Sequence, residues 1–205
     1  YTLNASLGYI SLNAALNADE VLAVAYQYTY GGKTYQVGEF SGDISSTDQS
    51  LYVKMLKGTT ASPKLPMWDL MMKNVYSLGT SSIQKKNFKL NVKYLSDTTG
   101  TELNYIPAGN INGTPLIRVL NLDRLDANNE PNIDGRFDYI DGYTVSKGRV
   151  IFPVVEPFGS FLKEKIGDEA VARNYVYQEL YDSTLTVARQ YQYKNKFVLE
   201  GEFQG

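Results

Sequence analysis

Along most of the chain apolar and polar residues alternate with a period of two, the pattern of strands that bury one face. VLAVAYQYTY (residues 21–30) reads as a strand and KTYQVGEF (33–40) as its partner. Gly31 and Gly32 between them predict a tight hairpin, because both reach positive φ without a Cβ clash. LYVKML (51–56) predicts a further short strand. FKLNVKYL (88–95) places Phe88, Leu90, Val92 and Tyr94 on one face; SDTTG then turns the chain and TELNYI (101–106) returns it as a second hairpin. VIFPVVEPFG (150–159) begins as a strand that Pro153 and Pro157 confine to an edge or end. KFVLEGEF (196–203) alternates again.

Helical spacing is rarer. In LPMWDLMMKNVYSLG (65–79), Met67, Leu70, Met71, Asn74, Val75 and Leu78 recur at helical intervals, with Pro66 at the start and Gly79 after the end. The methionine stripe is expected in the core. A second helix is predicted after Gly167, with Asp168 capping a run through AVARNYVYQELY (170–181), and a shorter turn over FLKEKI (161–166). Residues 104–141, dense in Asn, Asp, Gly and Pro, read either as a long ordered loop or as a junction between two sub-domains. There is no internal repeat and no low-complexity linker.

These elements predict a mainly-β fold, with antiparallel sheets packed in a sandwich-like manner beside one or two accessory helices. The alternative is an α+β arrangement with one open antiparallel sheet. The expected organisation is one domain over residues 1–205, divided, if at all, near 104–141. The tyrosine-rich strands also fit two transmembrane hairpins, since aromatic girdles mark barrel rims. The wide spacing of the hairpins, the intervening helix and the prolines favour a soluble mixed domain, with no membrane insertion by this segment itself.

Composition narrows the function. With 43% apolar and 20% charged residues the chain is ordinary for a globular protein, and its net charge of -2 comes without a basic stripe. Lys85 with Lys86, and Lys194 with Lys196, are too short to track phosphates, so no nucleic-acid partner is expected. The chain has no cysteine and no histidine. Disulfides, thiolate zinc sites and thiol nucleophiles are therefore excluded, as are Ser-His-Asp triads, Cys-His dyads and the usual zinc hydrolase sites. No stretch approaches the roughly 20 apolar residues of a membrane helix. The sequence opens at Tyr1 without a methionine or signal peptide and stops at Gly205 directly after a strand-like run; it reads as a piece of a larger protein.

Three candidate chemistries remain. In EPNIDGRFDYID (130–141), Glu130, Asn132, Asp134, Asp138 and Asp141 fall at positions one, three, five, nine and twelve, with Gly135 at six. This approximates a calcium loop, in which hard oxygens surround the ion and a glycine allows the sharp turn. Glu130 at the start, Asp141 at the end, Pro131 at position two and the lack of flanking helices depart from that template. A cluster of solvated Asx turns explains the same residues without metal. Glu156 in VVEPFG reads as a raised-pKa acid or, more simply, as a carboxylate paired at a turn. No phosphate loop or nucleophile elbow is present, so no catalytic residue and no cofactor are expected. Finally, 17 tyrosines against 8 phenylalanines favour aromatic surfaces with polar tips, and Tyr26, Tyr28 and Tyr30 project from one face of the first hairpin. They either pair across strands or form a binding ladder for sugars or proteins.

Several runs together resemble the SprA/Sov family of very large outer-membrane proteins of gliding motility and type IX secretion. They are LGYISLNAALNADEVLAVAYQYTYGGKTYQVGEF, LPMWDLMMKNVYSLG, FKLNVKYL, LIRVLNLDRLD, IDGRFDYIDGYTV, GRVIFPVVEPFGSFL, YVYQELYDST and KNKFVLEGEFQG, in the family's order and over most of the chain. The family is a translocon built on a giant β-barrel through which cargo and motility adhesins cross the outer membrane. The resemblance implies a soluble, non-catalytic portion attached to that barrel, in the cell envelope. Its partners would be other domains of the same polypeptide, accessory subunits or secreted cargo. The resemblance brings no catalytic residues. A carbohydrate-binding module at the cell surface is the rival expectation, and a hydrolase using two carboxylates a more distant one.

Overall fold

Antiparallel pairing organises the strands, as the two-residue alternation predicts. The computed structural model describes residues 1–46 and 48–204, which fall into two units, Tyr1–Met72 and Lys73–Gly205. Its mainly-β character, with antiparallel sheets and few helices, is the fold class that the sequence predicts.

The described residues of the first unit hold six strands in three two-stranded pairs. β1 (Thr2–Asn4) pairs with β2 (Tyr9–Ser11), and β3 (Leu22–Val24) pairs with β6 (Lys54–Lys57) across a bulge. Lys57 Nζ donates to the carbonyls of Asn17 and Glu20 at 3.1 and 2.7 Å, closing the turn before β3. The strand predicted over 21–30 breaks at Ala25 into β3 and β4 (Tyr26–Tyr30), and only β4 pairs with β5 (Lys33–Val37) in the predicted hairpin. Gly31 and Gly32 take φ of 58° and 75°, the left-handed pair that matches the turn to the strand twist. None of this unit's described residues is buried. More than half of the exposed large hydrophobic side chains among the described residues lie in it.

The helix expected over 65–79 does not form. Pro66–Leu70 makes a single 3-10 turn, and Leu70, Met71 and Met72 are exposed rather than in the core. The chain beyond extends because its backbone groups are taken from outside. Asn74 O accepts from the Phe152 N–H at 2.8 Å, and Asn74 Nδ2 donates to Phe152 O at 2.6 Å. β7 (Val75–Ser77) then joins a sheet, and the tertiary pairing overrides the local spacing.

The second unit contains the core. β8 (Lys89–Leu95) lies between β9 (Glu102–Leu103) and β12 (Phe197–Glu202), while β11 (Arg149–Ile151) lies between β10 (Val145–Ser146) and β7. Leu90, Val92 and Tyr94 on one face of β8 are buried, as their alternation requires. α1 (Leu116–Val119) packs against that strand, and its Leu116 and Ile117 join Ile106, Leu120, Phe152 and Leu162 in one apolar cluster. Each such buried Leu or Phe contributes about 1.5–3 kcal/mol over an exposed one. Residues 104–141 supply several of these side chains and lie wholly inside the second unit; the chain divides between Met72 and Lys73 instead.

α2 (Ser160–Ile166) covers the predicted turn at FLKEKI, burying Leu162 and Ile166 four residues apart. α3 (Glu169–Ala172) starts as predicted, with Asp168 Oδ1 accepting from the N–H groups of Ala170 and Val171 at 2.8 and 3.1 Å. The helix does not continue through 181, because the Tyr177 N–H leaves it to donate to Phe158 O at 2.8 Å. It resumes as α4 (Glu179–Asp182), and α5 (Leu185–Gln190) follows. Among the described residues no helix is long and apolar enough to cross a membrane.

Candidate functional site

The β4–β5 hairpin is the exposed feature with the clearest chemistry. Its register sets Tyr26 opposite Val37, Tyr28 opposite Tyr35 and Tyr30 opposite Lys33. Because side chains alternate, these six share one face, while Gln27, Thr29, Thr34 and Gln36 share the other. Tyr28 and Tyr35 stack with centroids 5.2 Å apart and planes 17° from parallel. Tyr26 lies 6.3 Å from Tyr28. On the opposite face Gln27 Nε2 donates to Gln36 Oε1 at 2.8 Å, and Gln36 Nε2 donates to Asp43 Oδ2 at 3.1 Å. The polar face is therefore knitted to itself, and the aromatic face is open, with Tyr28 48% and Tyr35 41% exposed. Of the alternatives the sequence poses, cross-strand pairing is present, in the Tyr28–Tyr35 stack.

The tyrosines divide between two environments. Those of the hairpin are exposed, whereas Tyr94, Tyr177 and Tyr181 are buried and Tyr76 is packed against the core. Alternation does not separate them: Tyr28 on β4 and Tyr94 on β8 both lie in alternating strands, and one is exposed while the other is buried.

The acidic loop is organised by carboxylates gripping backbone. Asp138 accepts from the N–H groups of Arg124 and Leu125 at 2.7 and 3.1 Å. Burial raises its pKa first of all, those two donors oppose the rise, and the charges of Asp123 and Asp134 add to it. Asp134 Oδ1 accepts from the Arg136 N–H at 2.9 Å, an Asx turn. Glu130 and Asn132 enter through their backbones: the Glu130 N–H donates to Asp126 Oδ1 at 3.1 Å, and the Asn132 N–H donates to Arg124 O at 3.1 Å. Asp141 forms a bridge to Val145. Among the described residues no three carboxylates gather into a group that could hold a metal ion.

Two further carboxylates hold this loop, Asp123 and Asp126, and neither belongs to the calcium-like spacing. Asp123 is 1% exposed and its Oδ1 accepts from the N–H groups of Asp134 and Gly135 at 3.2 and 3.1 Å, with Arg118 Nε 3.6 Å from Oδ2. Asp126 holds the turn through Asn128 and Glu130. The signal for Asp126 was local, an Asp ahead of Asn and Gly-poor turn residues; nothing local marks Asp123.

Glu156 is the paired carboxylate. It sits at a positive φ of 51° on the turn before α2, and its Oε2 accepts from Ser160 Oγ at 2.7 Å and from Gln178 Nε2 at 3.0 Å. Lys73 Nζ lies 3.9 Å from Oε1, with both side chains mostly buried. A cleft of about 510 Å³ opens nearby, lined among others by Lys163, Glu169, Arg173, Gln178, Glu179 and Lys194. Its charges are matched internally: Glu169 bonds Lys163 and Arg173, and Glu179 bonds Lys194. These pairs join α2, α3 and α4 to their surroundings, while Glu179 Oε2 is buried without a hydrogen-bond partner among the described residues.

Compared with protein-family models and with curated proteins, the chain gives no match.

Proposed function

We propose that this chain is a non-catalytic interaction domain of an outer-membrane protein-export and gliding-motility translocon of the SprA/Sov type. In this reading it sits in the cell envelope and contacts other domains of its own polypeptide, accessory subunits or secreted cargo. The translocon assignment rests on the sequence resemblance. The interaction role is carried by one observation: the first unit buries none of its described residues while exposing a concentration of large hydrophobic side chains. Scattered exposed apolar residues are ordinary, but a whole unit of strands without an interior of its own fits a surface that others cover.

The test is photo-crosslinking in cells from position 28 of the full-length parent. Crosslinks to sister domains or to envelope proteins are expected; a parent chain that crosslinks to no protein ends the reading.

The near-parallel Tyr28 and Tyr35 rings favour a second reading, a carbohydrate-binding module, because open aromatic platforms stack on sugar faces. Saturable binding on a glycan array that Tyr28→Ala abolishes would bring that reading forward.

A further inference from the structure

We infer that the outer edge of β4 is a strand-addition site for an extended, uncharged polypeptide segment. This deepens the interaction reading above and rests on it. The hairpin is a sheet of two strands, paired over five positions without a bulge. Apart from that ladder, residues 26–37 make no backbone–backbone hydrogen bond among the described residues. Every other residue on each outer edge therefore directs an N–H and a C=O away from the pair. A lone two-stranded hairpin is marginal in water, and a third strand is the usual remedy.

The edges of the other sheets among the described residues are blunted, and β5, the other edge of this hairpin, carries Lys33. β1 and β2 have three residues each, β9 and β10 two, and β7 three. β3 and β6 meet across a bulge, and β6 carries Lys54 and Lys57. β12 is longer but carries Glu200 and Glu202, paired with Lys93 and Lys89 of the neighbouring strand. Shortness, bulges and charge are the devices that stop a strand edge from recruiting another chain. β4, reading YQYTY, has none of them: five residues, no proline, no charge and no bulge.

The occupant follows from this chemistry. Only another extended backbone offers donors and acceptors at the spacing that an open strand edge presents. β4 itself carries no charge, which matches a neutral segment; Lys33 on the same face belongs to β5, on the far side of the pair from this edge. Tyr26, Tyr28 and Tyr30 on one face select apolar or aromatic residues at alternate positions of the incoming strand. A sugar stacked on the rings would leave the backbone edge unpaired.

The experiment uses the full 205-residue chain and a synthetic heptapeptide of alternating Thr and Val, blocked at both ends, followed by hydrogen exchange. Slowed exchange of the amides at 26–30 is expected. The same peptide N-methylated at alternate residues, which removes one edge of donors, is expected to bind roughly tenfold or more weakly. Thr29→Lys should weaken the unmodified peptide similarly, whereas Tyr28→Ala should weaken it less. Self-association of the chain that the peptide dissolves would support the same edge with a second copy as occupant. No protection at 26–30 at the highest soluble peptide concentration, or equal binding of the N-methylated peptide, overturns the inference. Cellular crosslinks to neighbouring proteins without that protection would sink strand addition alone; an absence of any protein crosslink would sink the interaction reading beneath it.

Discussion

Tyr76 and Tyr181 share a hydroxyl–hydroxyl hydrogen bond of 2.8 Å across 105 residues of sequence. It belongs to a relay: the Phe158 N–H donates to the Tyr181 hydroxyl at 3.1 Å, and the Tyr76 hydroxyl reaches Lys73 O at 3.4 Å. The relay ties the strand β7, the turn before α2 and helix α4 into one interior. Around it Phe152 and Phe158 meet the Tyr76 ring edge-on at 5.2 and 5.6 Å.

Alkaline pH should loosen the second unit. Burial pushes the Tyr76 phenol up to about 12 from 10.0, against a lowering by the Tyr181 hydrogen bond. Burial, then the Tyr76 charge and hydrogen bond, also raise Tyr181. A folded-state pKa above the unfolded one means that the contribution is fully present below the ordinary tyrosine value and is lost as pH rises through the folded one. Stability should therefore hold up to about pH 10 and fall toward pH 12. Phenolate absorbance followed alongside circular dichroism tests this: part of the titration should coincide with unfolding. Smooth ionisation of every tyrosine with the fold intact would refute it.

Tyr181→Phe removes the acceptor of the buried Phe158 N–H and the partner of Tyr76. An unsatisfied buried donor costs about 1–3 kcal/mol, so the thermal midpoint should drop by several degrees. Tyr193→Phe, at an exposed position, should leave it unchanged within error.

Gly148→Ala should be among the most damaging single-atom additions. At φ +72° its Cβ would lie 1.4 Å from Thr80 O, and the backbone carbonyl of Gly148 already accepts from the Leu78 N–H at 2.9 Å. The β10–β11 turn must therefore shift away from the β7 end. A loss of more than about 2 kcal/mol in chemical denaturation is expected. Gly113→Ala, where nothing lies within 4 Å, should cost less, since only its positive φ is strained.

The two units should respond differently to truncation. Phe152→Ala empties a fully buried site and should cost about 3–5 kcal/mol in the main unfolding transition. Tyr28→Ala touches no core and should leave that transition in place. In the isolated chain, amides at 22–37 should exchange much faster than those of Leu90, Val92 and Tyr94. Equal protection of the two regions would show that the first unit carries an interior of its own.

Asp138→Ala leaves the N–H groups of Arg124 and Leu125 without their acceptor and should loosen residues 123–141 at a cost of about 1–2 kcal/mol. Asp138→Asn keeps one acceptor and should cost less. Added calcium should alter neither variant nor the parent if backbone gripping is the loop's organising force; a calcium-dependent rise in the parent's thermal midpoint would oppose that account.

Alternation alone located β4, β5, β8 and β12, and the glycine pair located the hairpin turn, because those signals are local consequences of pleat and φ. It also placed Leu90, Val92 and Tyr94 in the interior. The cap at Asp168 and the turn of helix at 161–166 were legible for the same reason: a capping side chain and an i, i+4 apolar pair lie within one turn of each other. Residues 65–79 and 170–181 were not, since helical spacing there competes with hydrogen bonds to Phe152 and Phe158, which lie far off in sequence. Which tyrosines form an interior and which form a surface, which carboxylates grip backbone, and that Asp123 is the buried one were decided only by the tertiary structure. Burial and pairing between distant segments are cooperative properties of the assembled chain, and no window of neighbouring residues contains them.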